Sequence, residues 1–466
     1  MFLMTLTTKN NFLKWILSIG IVVTLFSLYY FYGLMPTPDS QSFRALTEYF
    51  IKTKSLDPAQ LNHVYYQWPA FFVLADIVTS VTGLTLTTYE FLLFTLIGLL
   101  LTTVLYVYGS KKYAYGGVLI VVAFFISITS FIDYQAVPFS LALALLFVLF
   151  MLETRQKSIG LSIAMLILYA CLLMTHLFVP LFFVLYLLAR SLFEKNGQNK
   201  SYYRSLFIIT LVSYFLVEFA IAKFSLGQII TNITKTPLTY SQIALNTFAS
   251  SVSNAINDTA QLFSRTVTIA FIGICIVGLV LLLVTRKTSV VDKAILFTGV
   301  VYSALGAVLN TLGYRAIAVA FLPISLGAAF LFKGKFRPYL AGLFIVLLVL
   351  FLFVPLHQSF NSEITFQTGE TYTADNFFLN HYQWQNPGFV ITDFWTQTYL
   401  ASKLSTYVYI STSLTPGEKP DSILYSPQFA GLELGNYSSV QSLSQGEKLN
   451  ILYNDGFSYV LVNGQH

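Results

Sequence analysis

Charge is what this chain has least of. Asp, Glu, Lys and Arg together make up 10% of its 466 residues, against about 25% in soluble globular domains. An ordinary water-soluble fold is excluded on that ground. Cysteine is nearly missing as well: Cys171 and Cys275 each lie inside an apolar run, which excludes a disulfide framework and a cysteine metal site. There is no G-x-x-x-x-G-K phosphate loop and no H-E-x-x-H helix. A strand–turn–helix setting for a serine nucleophile is equally absent. Nothing repeats at a fixed period.

What is there is apolar. Hydrophobic residues make up 56% of the chain and the mean hydropathy is +0.70. The net charge of +6 does not form a nucleic-acid face, because Lys and Arg come in short clusters between apolar runs. That is the pattern of a polytopic membrane protein. A bilayer crossing takes about 20 apolar residues. Runs of that kind fall at 13–34, 90–109, 116–132, 135–152, 158–175, 177–193, 205–222, 265–285, 294–312, 316–332 and 338–356. The fold class expected is therefore mainly α, with about 11 transmembrane helices. The first run lacks an A-x-A-like cleavage site and reads as a retained anchor.

One segment decides the topology. "WPAFFVLADIVTSVTG", residues 68–83, is short, opens on Trp-Pro and carries Asp76 midway. Read as an interfacial helix, it leaves the basic clusters on one side: Lys9/Lys14, Lys111/Lys112, Arg155/Lys157, Arg190 to Arg204, Arg286/Lys287/Lys293 and Lys333/Lys335/Arg337. Read as a span, it moves every cluster after the first to the other side. The first reading obeys the positive-inside rule. It gives a cytoplasmic N-terminus, a first external loop at 35–89 holding the interfacial helix, and a second at 223–264. Residues 1–356 form the transmembrane domain. Residues 357–466 form a polar extracytoplasmic domain, punctuated by "QNPG", "LTPGEKP" and "YNDG". There "GFVITDF", "YVYIST" and "FSYVLVN" have strand character and "TQTYLASKL" helical character, so a small α/β domain is expected.

Ionisable groups at span ends are costly and therefore informative. In this topology they gather on the outer rim. Asp39 opens the first external loop, and Asp133, with Tyr134 beside it, lies at the outer turn before the fourth span. His176 lies at the turn between the fifth and sixth spans, Glu218 near the outer end of the seventh, and Arg315 in a short outer loop. Each has a plainer reading. Asp39 could cap a helix, Asp133 could be a solvated turn residue, His176 could bond a neighbouring helix end, and Arg315 could tie to Glu218. Asp76 reads as the wet face of the interfacial helix, while Lys223, Lys235 and Arg265 read as solvated. Trp384 and Trp395 read as core of the tail.

The first span with its acidic loop, "YYQWPAFFVLADIVTSVTGL", "IDYQAVPFSLALALL", "MTHLFVPL" and the external tail with "VITDFWTQTYLA" and "LYNDGFSYVLVN" together resemble the GT-C superfamily. Its members are polytopic glycosyltransferases that take sugars from polyprenyl-phosphate donors. The resemblance implies an inverting transfer at the outer face of the cell membrane, to a lipid, glycan or protein acceptor. It makes Asp39 the general base and Asp133 the second acidic position. Arg315 is then the cation at the leaving phosphate and His176 its helper, with Glu218 and Tyr134 as further substrate-binding residues. Asp39, Asp133 and His176 together could hold a divalent cation, Mg or Mn, through oxygen and imidazole ligands. The chain departs from the pattern in having no D-E or D-x-D at Asp39 and no W-W-D-Y-G in the tail. Single-sugar transfer is thereby favoured over transfer of a preassembled glycan. Two other classes stay open: a transporter or flippase of lipid-linked glycans, and an inactive scaffold whose tail is a binding module.

Overall fold

The computed structural model describes residues 10–31, 38–54, 67–111, 116–131, 137–153, 157–220, 259–285, 288–308, 325–331, a few positions within 339–347, and five strands within 389–463. The chain is mainly helical there. The helices are α1 (Asn11–Phe31), α2 (Pro38–Thr53), α3 (Ala70–Thr82), α4 (Leu86–Ser110), α5 (Gly116–Phe131), α6 (Pro138–Glu153), α7 (Ile159–Leu173), α8 (Val179–Phe193), α9 (Gly197–Ala220), α10 (Thr259–Val284) and α11 (Val290–Val308). Apart from the polar α2, each falls on a segment that the apolar pattern marks. Among the described residues two stretches, Thr88–Ser110 and Gly197–Ala220, are long and apolar enough to cross a membrane by length and composition.

Local chemistry sets the helix starts. Proline opens α2 and α6, where its fixed φ and missing N–H cost nothing. Ser158 caps α7, its hydroxyl accepting from the Leu161 N–H at 3.2 Å. At α11 the cap is reciprocal. The Asp292 carboxylate accepts from the Ser289 N–H at 2.9 Å, and the Asp292 N–H donates to the Ser289 hydroxyl at 3.2 Å.

The chain divides into two compact units: residues 1–28, 56–74 and 87–357, and residues 29–55, 75–86 and 358–466. In the first, α8 is the hub, packing on α6, α7, α9 and α11. It is buried nearly all round, from Val179 through Phe182, Phe183 and Leu187 to Arg190. A helix so placed is an interior element, not an amphipathic surface one. The second unit contains α2 and a five-stranded mixed sheet of order β2–β1–β3–β5–β4. Its strands are β1 (Phe389–Thr392), β2 (Tyr409–Ser411), β3 (Ser422–Tyr425), β4 (Leu449–Asn454) and β5 (Tyr459–Asn463). β1 runs parallel to β2 and β3, while β5 is antiparallel to β3 and β4. Asn454 pairs with Tyr459. β3 and β4 were not apparent in the sequence pattern, and "TQTYLASKL" lies outside the described residues.

A buried ion pair ties three helices of the first unit. Glu153, last residue of α6, accepts from Arg190 Nε at 3.0 Å and from the Tyr186 hydroxyl at 2.6 Å. Tyr203 of α9 donates to the same carboxylate and receives Arg190 Nη2 at 2.6 Å. Arg190, read from sequence as one cation of a loop cluster, is thus a 7%-exposed interior residue. Elsewhere α10 and the helical residues 325–331 touch backbone to backbone. A Cβ at Gly278 would strike the Gly327 carbonyl, and one at Gly327 would strike the Cys275 carbonyl. Small residues permit this approach between apolar helices.

Two outcomes are expected. Arg190→Met should cost about 3–5 kcal/mol by stranding Glu153, whereas Glu153→Met/Arg190→Met should recover most of it; thermal unfolding of the purified protein in detergent reads both. Gly278→Val and Gly327→Val should unfold well below the wild type. Gly273→Ala, on the same α10 with open space around it, should match or slightly exceed wild type, as helical Gly→Ala gains about 0.5–1 kcal/mol.

Candidate functional site

The Trp-Pro turn organises a polar junction in the first unit. Proline at 69 cannot donate, and its carbonyl accepts the Val73 N–H at 2.9 Å, which starts α3 one residue later. Two residues of this turn then reach the bundle. The Trp68 indole, 2% exposed, donates to Glu218 Oε1 at 3.4 Å. The Ala70 N–H donates to the Met174 carbonyl at 2.9 Å, at the C-cap of α7.

His176 follows Met174 by two residues, in the short connection between α7 and α8. It is 3% exposed, with its ring edge-on to Phe139 at 5.6 Å. Its Nδ1 accepts the Phe178 N–H at 3.1 Å, which leaves Nε2 to carry the proton of the neutral imidazole. The Phe178 carbonyl in turn takes the Tyr302 hydroxyl of α11 at 2.8 Å. Glu218, one turn past Tyr214 on α9, is 2% exposed, and its Oε2 has no hydrogen-bond partner among the described residues. The 68–70 turn thereby bonds one predicted site residue, Glu218, and the backbone two residues before another, His176. Their links are Trp68 and Met174, which sequence reasoning had not assigned to the site.

The other candidates fare differently. Asp39 is the second residue of α2, inside its first turn, which is not the capping position; its side chain lies outside the described residues. Asp133, Tyr134 and Arg315 also lie outside them, as do Lys223, Lys235 and the side chain of Arg265. Glu218 Oε1 has Trp68 as a donor, and the alternative tie from Glu218 to Arg315 lies outside the described residues. Among the described residues no group of three or more His, Cys, Asp or Glu could hold a metal ion. The proposed ligands Asp39 and Asp133 are not among the side chains so tested.

Asp76 turns out to be paired. Its carboxylate receives Lys54, the residue just after α2, and the Ser80 hydroxyl at 3.1 Å. The hydrogen bond from Lys54 holds the Asp76 carboxyl below its usual 3.8, against the opposing effect of partial burial. The folded pKa lies below the unfolded one, so the pair's contribution is complete above the ordinary value and disappears as pH falls through the lowered one. With Lys54 half exposed, a coupling of about 0.2–1 kcal/mol is expected. A double-mutant cycle of Lys54→Met and Asp76→Asn, read by amide exchange in the helices that carry them, should show this near pH 7. The coupling should weaken as pH falls below the ordinary carboxylate value.

Compared with known families and with curated proteins, the chain matches no family model and no curated sequence.

Proposed function

We propose that the protein is a multi-pass membrane glycosyltransferase of GT-C type, moving a single sugar from a polyprenyl-phosphate donor to an acceptor hydroxyl at the outer face of the cell membrane. The observation that carries the reading is the junction around Trp68. Buried polar groups at bundle ends are costly, and here the buried Glu218 carboxylate is bonded to the Trp68 turn, which also bonds the backbone two residues before the buried His176.

The multi-pass reading draws support from the surface. The outward side of α9 exposes Ile208, Val212, Leu216 and Phe219, and that of α10 exposes Val277, Val280 and Val284. Apolar stripes of this length on long helices call for lipid contact. The sign and placement of the basic clusters favour a cytoplasmic N-terminus and an extracytoplasmic C-terminal domain. That domain is read as α/β because parallel β1 and β2 need a crossover. The segment between them contains "TQTYLASKL".

In the proposed reaction Asp39 takes the proton of the acceptor hydroxyl. The acceptor oxygen attacks the anomeric carbon, and the bond to the donor phosphate breaks on the opposite side, inverting the centre. Polyprenyl phosphate leaves with the bonding electrons. Arg315 offsets the charge that develops on that phosphate, and His176, with its proton on Nε2, assists as a donor. Asp133 and Tyr134 bind acceptor or donor, and Glu218 holds the junction in shape. Mg or Mn, if held by Asp39, Asp133 and His176, would supply further charge stabilisation at the phosphate, and His176 would then have to give up its Nε2 proton and act as a ligand in place of a donor.

Membranes containing the wild type or Asp39→Ala, incubated with radiolabelled polyprenyl-phosphate sugars, test the assignment. A lost general base should lower labelled product about 10²–10⁴-fold. Equal transfer by both proteins would remove Asp39 from the reaction.

A further inference from the structure

We propose that a cavity between α4, α6, α8 and α11 binds the acyl chain of an anionic glycerophospholipid, with its headgroup against Lys111. The inference rests on reading the chain as a membrane protein and is independent of the sugar-transfer chemistry.

The cavity measures about 150 Å³ and its walls are apolar. Leu105, Phe147 and Ile295 lie there nearly fully buried, with Phe150 beside them. Apolar cavities of about this size stay dry and accept benzene-sized groups. The polar atoms on its lining residues are already engaged. Tyr186 presents its ring, since its hydroxyl donates to Glu153. The Tyr108 hydroxyl is turned to Asp292, and the Ser289 hydroxyl donates to the same carboxylate at 2.8 Å. Water entering the space would therefore meet few unengaged groups, whereas a hydrocarbon segment loses nothing.

The rim differs from the walls. Lys111, just past α4, is exposed and lines the cavity. It makes no ion pair among the described residues, whose ion pairs involve Arg44, Lys54 and Arg190. Asp292, on α11, accepts from Ser289 and Tyr108. Lys293, one residue further along α11, adds a second exposed cation. An ammonium at the mouth of an oily cleft matches an amphiphile whose anionic head stays in the interface while part of a chain inserts. The sequence topology puts this end of the bundle on the cytoplasmic side, where anionic lipids concentrate.

The test uses the full chain, purified in detergent and mixed with phosphatidylglycerol or phosphatidylcholine of identical chains, and reads retained lipid by native mass spectrometry. Wild type should retain phosphatidylglycerol at least fivefold over phosphatidylcholine. Val104→Trp and Met151→Trp fill the cavity from opposite walls, and either should lower retention of both lipids. Lys111→Gln, at an exposed position that leaves packing intact, should abolish the preference without changing phosphatidylcholine retention. Asp39→Ala should bind as wild type does, so loss of transferase activity and loss of this site are separable. Equal retention of the two lipids by wild type, or retention unchanged by Lys111→Gln, would overturn the proposal. So would displacement of the lipid by millimolar inorganic phosphate alone, which would mean that the site recognises an anion and not a chain.

Discussion

The Glu153–Arg190 pair fixes the heights of three helices, and the rest of the first unit is built against them. α8 is enclosed by four neighbours, so a guanidinium near its end is tolerable only when fully paired and hydrogen-bonded. Glu153 closes α6, Arg190 lies in the last turn of α8, and Tyr203 is in the second turn of α9. Each supplies a bond that the other two require. If α6 slid by one turn, about 5.4 Å, the carboxylate would lose its donors and a charge would stand alone in an apolar interior; a like slide of α9 would take away the Tyr203 hydroxyl that bridges the pair.

That fixed level sets where the opposite end falls. Glu218 follows Tyr203 by 15 positions on the same unbroken helix, a rise of about 22 Å at 1.5 Å per residue. Between the two, α9 turns Leu206, Thr210 and Tyr214 inward and Ile208, Val212 and Leu216 outward. Thr210 and Tyr214 keep the inner line partly polar, and the Tyr169 hydroxyl closes on the Thr210 carbonyl at 3.1 Å. Ionisable groups thus stand at two levels with an apolar belt between them, the reverse of a soluble helix, whose charges cover its outer face. One level is an ion pair whose hydrogen bonds close on themselves. The other retains an oxygen without a partner among the described residues, and a buried polar group in that condition calls for a partner such as water, an ion or a ligand.

How far the sequence disclosed this follows from the range of each interaction. Helix positions were legible because they depend on contiguous apolar runs, a local property. His176 and Glu218 were legible as residues too polar for their place. Trp68 was not, since its partner is 150 residues away and an interfacial tryptophan near a proline has an ordinary explanation. Glu153 carried a faint signal, as an acid closing an apolar run, yet a run ending in Glu-Thr-Arg reads equally well as a solvated boundary. Arg190 was counted for its sign alone, and sign does not tell a paired interior cation from a loop cation. β3 and β4 are no shorter than β1 and β2, but Ser and Asn at their ends and the adjoining turn residues interrupt the apolar pattern that marked the others.

The range of an interaction also decides where the first loop meets the bundle, at Trp68. A long excursion between two apolar helices costs little more in closure entropy than a medium one, so length alone would leave its path undetermined. Two bonds determine it here. The indole-to-carboxylate bond fixes a side chain, and the Ala70-to-Met174 bond fixes the backbone two residues later. Together they leave the start of α3 little rotational freedom about the turn. Because one anchor falls on α9 and the other on the connection after α7, a displacement of either helix would be felt at the same turn. The arrangement therefore couples loop and bundle through position, with no hinge needed, and it makes Trp68 the residue through which changes in the apolar belt would reach the polar junction.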